Sequence, residues 1–297
     1  MFDLKNVTRA RNVAEAVTLL TENPGTRLIA GGTDVLIKLR HGRTEFAELV
    51  DIHGLKELDY IRMDGDRNLL IGSGVVFTGL MESSLIREHV PILIESAESV
   101  GGPQIRNVAT MGGNICNGVP SADSAPSLFV LNARVMIQGR GGYRETPITD
   151  FFKGPGKVDL NRGDVLTGFK IAPENYDGFR GTYFKYAMRN AMDIATIGCG
   201  VSLKASSGTM DDFRICFGVA GPVPMRCPAT EAMAKGKPVS KDLVAAIADT
   251  VEDDVNPRTS WRASGEFRIN IIRELAKRAT VKALERAGEK VEWQTQY

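Results

Sequence analysis

Histidine is scarce in this chain. The three present, His41, His53 and His89, stand without a serine, cysteine or acidic residue at motif spacing, which argues against a hydrolytic triad or a histidine metal site. Cysteine is nearly as sparse: Cys116, Cys199, Cys216 and Cys227 form no CxxC pair, so the chain encodes neither a zinc site nor an iron–sulfur cluster of its own, and reduced, mostly buried thiols are expected. Net charge is almost absent, with Lys+Arg 37 against Asp+Glu 36, which leaves no global field to attract nucleic acid or an anionic membrane. No run approaches the roughly 20 apolar residues of a membrane span. Met1-Phe2-Asp3-Leu4-Lys5 lacks a charged segment followed by an apolar run, so a cytoplasmic location away from membranes is expected.

What the 297 residues do contain is glycine in pairs, within a composition that is 43% hydrophobic and 25% charged and compatible with two domains. Leu28-Ile29-Ala30-Gly31-Gly32-Thr33-Asp34 and Thr110-Met111-Gly112-Gly113-Asn114 each read as a strand giving way to a turn. Glycine lets a ligand approach the main chain, and successive N–H groups can converge on a phosphate. Two such segments, each with a flanking threonine and a side-chain amide or carboxylate, fit a pyrophosphate gripped from both sides; a pair of tight turns is the alternative reading.

The surrounding pattern is mixed α+β. Asn12 with Glu15 resembles a capping box opening a helix that Pro24-Gly25 ends. A strand at 27–30 follows, then a short helix over 34–40 capped by Thr33 and a strand at 49–52. Strands at 61–63 and 69–71 pair across Asp64-Gly65-Asp66, and helices are expected over 78–89 and 91–100. Strands at 133–138 and 165–171 precede a linker at 173–181. Beyond it, 200–205 and 213–218 form a hairpin, Ser240 caps a helix over 241–252, and 264–287 carries Phe267, Ile271, Ile272, Leu275, Ala279 and Leu284 at helical spacing. Trp261 reads as an anchor for these last helices, and 288–297 as a loose tail.

Longer motifs add a resemblance. Ala30-Gly31-Gly32-Thr33-Asp34, the run from Gly102-Pro103-Gln104-Ile105-Arg106-Asn107 through Thr110-Met111-Gly112-Gly113-Asn114 to Cys116-Asn117, Ser121-Ala122-Asp123, and Phe184-Lys185-Tyr186-Ala187-Met188-Arg189 running to Asp193-Ile194-Ala195 resemble the medium, FAD-binding subunits of the molybdenum hydroxylases, most closely the bacterial xanthine dehydrogenase branch. The resemblance implies a vanillyl-alcohol-oxidase-type (PCMH-like) FAD domain over 1–176, built of two α+β subdomains at about 1–55 and 56–176. It further implies a small C-terminal α+β domain of antiparallel sheet and helices over 177–290, with 291–297 as tail.

By the same comparison, Leu28, Ile29, Ala30, Gly31, Gly32, Thr33, Asp34 and Val35, together with Thr110, Met111, Gly112, Gly113 and Asn114, wrap the FAD pyrophosphate with backbone N–H groups, and Asp123, the main chain near Leu166, and Lys185 complete the site. On the residues alone, Asp123 also stands where it could cap a helix starting near Ser124. Ile194, with Asp193 beside it, is placed over the flavin ring, in the loop that gates nicotinamide access, a plain core position being the alternative reading of Ile194; the aromatic that stacks on the flavin in animal relatives aligns with Val100 here. The implied activity is electron relay: a large molybdopterin-binding subunit oxidises the substrate, [2Fe-2S] clusters of a small subunit carry electrons to FAD in this chain, and NAD+ accepts them, in a heterotrimer or a dimer of heterotrimers. Alternatives left open are a flavin subunit for another N-heterocycle such as nicotinate, or for carbon monoxide; a self-contained flavin oxidoreductase; and a non-catalytic assembly module.

Overall fold

A computed structural model describes residues 4–291; of the tail expected over 288–297, residues 292–297 lie outside the described residues, whereas Glu289 is held by the Gly208 N–H, which its carboxylate accepts at 3.0 Å, and Val291 packs against the core of the C-terminal sheet and helices. The chain opens with β1 (Asn6–Arg9), α1 (Val13–Glu22), β2 (Arg27–Ile29), α2 (Val35–Arg40) and β3 (Glu48–Asp51), and the three strands form a parallel sheet in the order β1-β3-β2. Asn12 Oδ1 accepts from the Glu15 N–H at 2.8 Å, while the Glu15 carboxylate accepts from the N–H of Arg11 at 2.6 Å and not from the cap residue itself. This fixes the first turn of α1, whose face of Val13, Ala16, Val17 and Leu20 is buried. Thr33 does not cap the next helix as expected: Asp34 holds the cap position of α2 and no side chain caps it.

A second unit holds a five-stranded antiparallel sheet in the order β4-β5-β10-β6-β7. It runs β4 (Ile61–Met63), β5 (Leu69–Gly72), α3 (Phe77–Glu82), α4 (Ser84–His89), α5 (Ile92–Glu98), α6 (Pro103–Arg106), α7 (Met111–Cys116), α8 (Ser124–Val130), β6 (Arg134–Gly139), β7 (Gly142–Pro147), α9 (Ile148–Phe151), β8 (Phe152–Gly154), β9 (Lys157–Val158) and β10 (Val165–Ile171). The single helix expected over 78–89 is two, because Ser83 takes extended backbone angles and its hydroxyl accepts from Ile86 N–H, starting α4 afresh. Its core is one continuous apolar cluster including Phe77, Phe151 and Phe169.

The third unit consists of β11 (Arg180–Tyr186), β12 (Ile197–Ser206), β13 (Thr209–Gly218), β14 (Met225–Arg226), α10 (Pro228–Ala234), α11 (Lys241–Asp254) and α12 (Gly265–Arg286). Its strands form an antiparallel sheet in that order, against which the last helices pack. Ser240 and Ser264 cap α11 and α12, each accepting at 3.1 Å. Two apolar residues depart from expectation: Trp261, read as an anchor, is 78% exposed, and Phe267 is 43% exposed because it sits in the first turn of α12, ahead of the buried stripe of Ile272, Leu275, Ala276 and Ala279. The third unit is joined to the second through α8, whose last carbonyls accept from two arginines of the sheet: Arg226 Nη1 donates to Phe129 O at 2.9 Å and Arg214 Nη1 to Val130 O at 3.3 Å.

Candidate functional site

The first glycine segment lies where β2 turns into α2, and the chain folds it directly onto the approach to the second. A Cβ on Gly31 would stand 1.8 Å from Val108 O and 3.0 Å from Ala109 Cα, so only glycine permits this contact. Gly32 has φ +72, the left-handed region. Among the described residues, no hydrogen bond is donated by the N–H groups of Gly31, Gly32, Thr33 or Asp34; the first to be used is that of Leu36, to Gly32 O. These four donors form the free cradle.

The second segment differs from its expected form. Gly112 and Gly113 lie inside α7 and not in a turn after a strand, and Thr110 caps that helix by accepting from Gly113 N–H at 3.0 Å. Met111 N–H donates to Val75 O, Gly112 N–H to Ser73 O and Asn114 N–H to Thr110 O, so with Gly113 four donors expected to face a phosphate are engaged within the protein. The reason is packing: a Cβ on Gly112 would lie 2.5 Å from Ser73 Cβ, so the glycine exists to bring α7 against the turn after β5. Gly113 is the open one, since a Cβ there would meet only Thr110 Oγ1, at 3.0 Å. Ser73 Oγ, buried beside Gly112, has no partner among the described residues, and Ser73 N–H donates to Thr167 O, which draws the strand carrying Leu166 to the same turn. Free backbone donors, an uncovered glycine and an orphaned hydroxyl make this junction suited to a phosphate-bearing ligand.

The site continues through side chains. Ser124 Oγ donates to Asn114 Oδ1 at 2.7 Å, which ties α7 to α8 next to Asp123. Asp123 precedes α8 yet caps nothing: Tyr183 OH donates to its Oδ1 at 2.8 Å and Lys185 Nζ to its Oδ2 at 2.9 Å. Lys185 Nζ also donates to Ser99 O at 2.9 Å. Burial raises the Asp123 carboxyl above the usual carboxylate range, against the pull of Lys185 and the Tyr183 hydrogen bond; burial likewise pushes the Tyr183 phenol well up, with the Asp123 charge adding to it. Gly198 makes room for this tyrosine, since a Cβ there would stand 2.7 Å from its hydroxyl oxygen.

Asp193 and Ile194 lie on the loop after β11. The Asp193 carboxylate accepts from Ile194 N–H at 2.8 Å and from Arg189 N–H at 3.1 Å; desolvation opposes its charge, but these bonds and the Arg189 guanidinium outweigh it and hold the carboxyl below its usual range. Met192, at φ +56, donates its N–H to Gly101 O and lays its sulfur against Gly102, which brings the loop over the segment leading to α6. Ile194 is 50% exposed and so is not core. Beside the loop is a cleft of about 640 Å³ lined by Glu95, Glu98, Ser99, Tyr183, Lys185 and Asp193 among others; a second cavity of about 320 Å³ lies apart, around Arg134 and Lys170. Sequence reasoning did not single out Ser73, Ser99 or Tyr183. The run Gly72-Ser73-Gly74 was the available signal for the first, since both glycines pack against Leu58.

Comparison with known proteins gives the family. Residues 2–173 match the FAD binding domain in molybdopterin dehydrogenase, and residues 182–283 match the CO dehydrogenase flavoprotein C-terminal domain. The chain is 44% identical over 292 residues, covering 98% of it and 100% of the relative, to the xanthine dehydrogenase FAD-binding subunit of Escherichia coli O157:H7. It is 30% identical to the nicotinate dehydrogenase FAD-subunit of Eubacterium barkeri, covering 87% and 88% of the two chains. A carbon monoxide dehydrogenase structure from Hydrogenophaga pseudoflava superposes with a TM-score of 0.91 at 28% identity, over 96% of this chain and 99% of that one. The chain therefore belongs to the family of FAD-binding subunits of the molybdenum hydroxylases.

Proposed function

We propose that this chain holds FAD at the junction of its three units and serves as the electron-relay subunit of a xanthine dehydrogenase-like molybdenum hydroxylase, with NAD+ as the final acceptor. The observation that carries the reading is the set of free N–H groups from Gly31 to Asp34 on a segment packed against Val108, together with the uncovered Gly113 five residues further on and the buried Asp123–Lys185 pair. When bound, FAD supplies the chemistry this chain lacks, accepting electrons singly and releasing them as a pair. The residues here supply placement and charge. The N–H groups of Gly31, Gly32, Thr33 and Asp34 bind phosphate oxygens, the missing Cβ of Gly113 admits them, and Ser73 Oγ finds the partner it otherwise lacks. Lys185, fixed by Asp123 and Ser99 O, holds a positive charge where the ring is expected, which favours a reduced, anionic ring. Asp193 pins the loop that carries Ile194, an apolar side chain that would shield a bound ring from water.

Molybdopterin and [2Fe-2S] clusters belong to partner subunits in this reading, a large and a small chain. The test is the visible spectrum of the natively purified protein with its co-purifying chains, before and after xanthine and then NAD+. Flavin and iron–sulfur bands that bleach with xanthine and recover with NAD+ are expected. Bleaching with nicotinate but not xanthine would refute the purine assignment, recovery only with another acceptor would refute NAD+, and a colourless protein would refute the flavin.

A further inference from the structure

Between α11 and the second turn of α12, residues 256–268 contain three arginines, Arg258, Arg262 and Arg268, and a single acid, Glu266. Among the described residues none of these four takes part in an ion pair. Arg268 is buried, and its guanidinium donates to Thr196 O and to Ser260 Oγ, while its Nε, Arg262 Nε and Thr196 Oγ1 are buried without a partner among the described residues. Burial, and the charges of Arg258 and Arg262 behind it, pull the Arg268 guanidinium below its ordinary value. Three like charges gathered without a counter-ion are unfavourable in the separate chain and call for an anion.

Apolar surface lies beside this charge. Trp261 is 78% exposed, with the guanidinium of its neighbour Arg262 over the ring, 4.3 Å from its centre. Phe267, its ring tilted at 58° against that of Tyr186 with centroids 6.0 Å apart, is 43% exposed, and the half-exposed Ile194 stands two residues before Thr196. Neither cavity described above includes Trp261 or the arginines. Small ligands seek concavities, whereas protein interfaces take their anchors from an exposed tryptophan flanked by arginine.

We propose that the 258–262 loop and Phe267 form the docking surface for an acidic segment of a partner subunit, whose carboxylate pairs with Arg258 and Arg262 while an apolar side chain covers Trp261. The proposal rests on the reading that the chain works inside a multi-subunit assembly. Charge complementarity selects the occupant: a second copy of this chain would bring its own uncompensated arginines to the contact.

The test is native purification through a tag on the full-length chain, comparing wild type with Trp261→Ala, with Arg262→Glu, and with Arg140→Glu in the exposed turn between β6 and β7 as a control. Subunit stoichiometry is followed by sedimentation velocity from about 0.05 to about 0.5 M salt, a range over which surface charge is progressively screened. Trp261→Ala is expected to weaken retention of one partner subunit at least tenfold. Arg262→Glu is expected to lose that subunit at low salt, with flavin content and melting temperature as in wild type, and the control to behave as wild type. Variants that keep every subunit with the wild-type salt profile overturn the docking proposal alone, as does self-association of the separate chain cross-linked through position 261. A wild-type chain that purifies with no other subunit overturns both the proposal and the assembly reading.

Discussion

Gly31 and Gly113 should respond to the same substitution, glycine to alanine, in opposite ways. At Gly31 the added carbon would lie 1.8 Å from Val108 O, so the two segments must part by about 1.5 Å to restore an ordinary contact, an overpacking cost of about 1–3 kcal/mol. At Gly113 the added carbon meets only Thr110 Oγ1 at 3.0 Å, and exchange of glycine for alanine in a helix gains about 0.5–1 kcal/mol, which offsets the few tenths of an ångström the threonine must give. In the flavin-free protein, Gly31→Ala should therefore lower the melting temperature by several degrees, while Gly113→Ala stays within about 2 °C of wild type. FAD affinity should fall for both, at least tenfold, in one case because the free N–H groups have moved and in the other because the carbon fills the ligand's space. Thermal melts of deflavinated protein and titration by quenching of FAD fluorescence read the two effects separately. A Gly113→Ala or Gly113→Val protein that binds FAD within twofold of wild type would refute the assignment of that glycine to the cradle.

Alkaline pH should unfold the protein early. Burial pushes the Cys116 thiol up to about 12 and those of Cys199, Cys216 and Cys227 well up, with the Tyr183 phenol raised too. The folded state keeps these protons where the unfolded chain has lost them, so stability is unaffected below about pH 8 and falls from about pH 9 upward, by about 1.4 kcal/mol per pH unit for each thiol; denaturant melts from pH 7 to 11 should show it, and a flat profile would contradict the burial. Lys185→Met should cost about 3–5 kcal/mol in urea unfolding by stranding the buried Asp123 carboxylate, and adding Asp123→Asn should recover part of that loss, whereas strict additivity would mean the two are not coupled. Asp193→Ala removes the acceptor for the Ile194 and Arg189 N–H groups, so NAD+ reduction should fall severalfold with flavin content unchanged; an unaltered KM and kcat for NAD+ would separate that loop from the acceptor.

Features decided within a few residues were readable from the chain. The 61–63 and 69–71 pairing follows from apolar strands around Asp64-Gly65-Asp66, and Asn12, Ser240 and Ser264 announce their helices because a cap needs only its own next turn. The glycines at 112 and 113 misled because their spacing signals flexibility, while the partner that makes Gly112 necessary, Ser73, is far away in sequence. Asp123 shows the same limit: the choice between capping α8 and meeting Tyr183 and Lys185 is made by a strand about sixty residues on. Trp261 was misread because apolar character alone does not say whether its cover lies within the chain.

The two arginines that reach from the third unit's sheet to the end of α8 bear on how such subunits can diverge. Phe129 O and Val130 O belong to one recognised domain, and the guanidinium groups that satisfy them belong to the other. A recombination that joined the first domain of one relative to the second of another would strip Val130 O of its guanidinium donor and leave Phe129 O to the Asn132 N–H, while Arg226 and Arg214 fell back on Glu231 and Asp212 of their own domain, unless both ends of the contact travelled together. The boundary drawn by sequence families is thus not a clean seam for exchange, and chimeric subunits should tolerate a crossover only when α8 is inherited with the sheet that closes it.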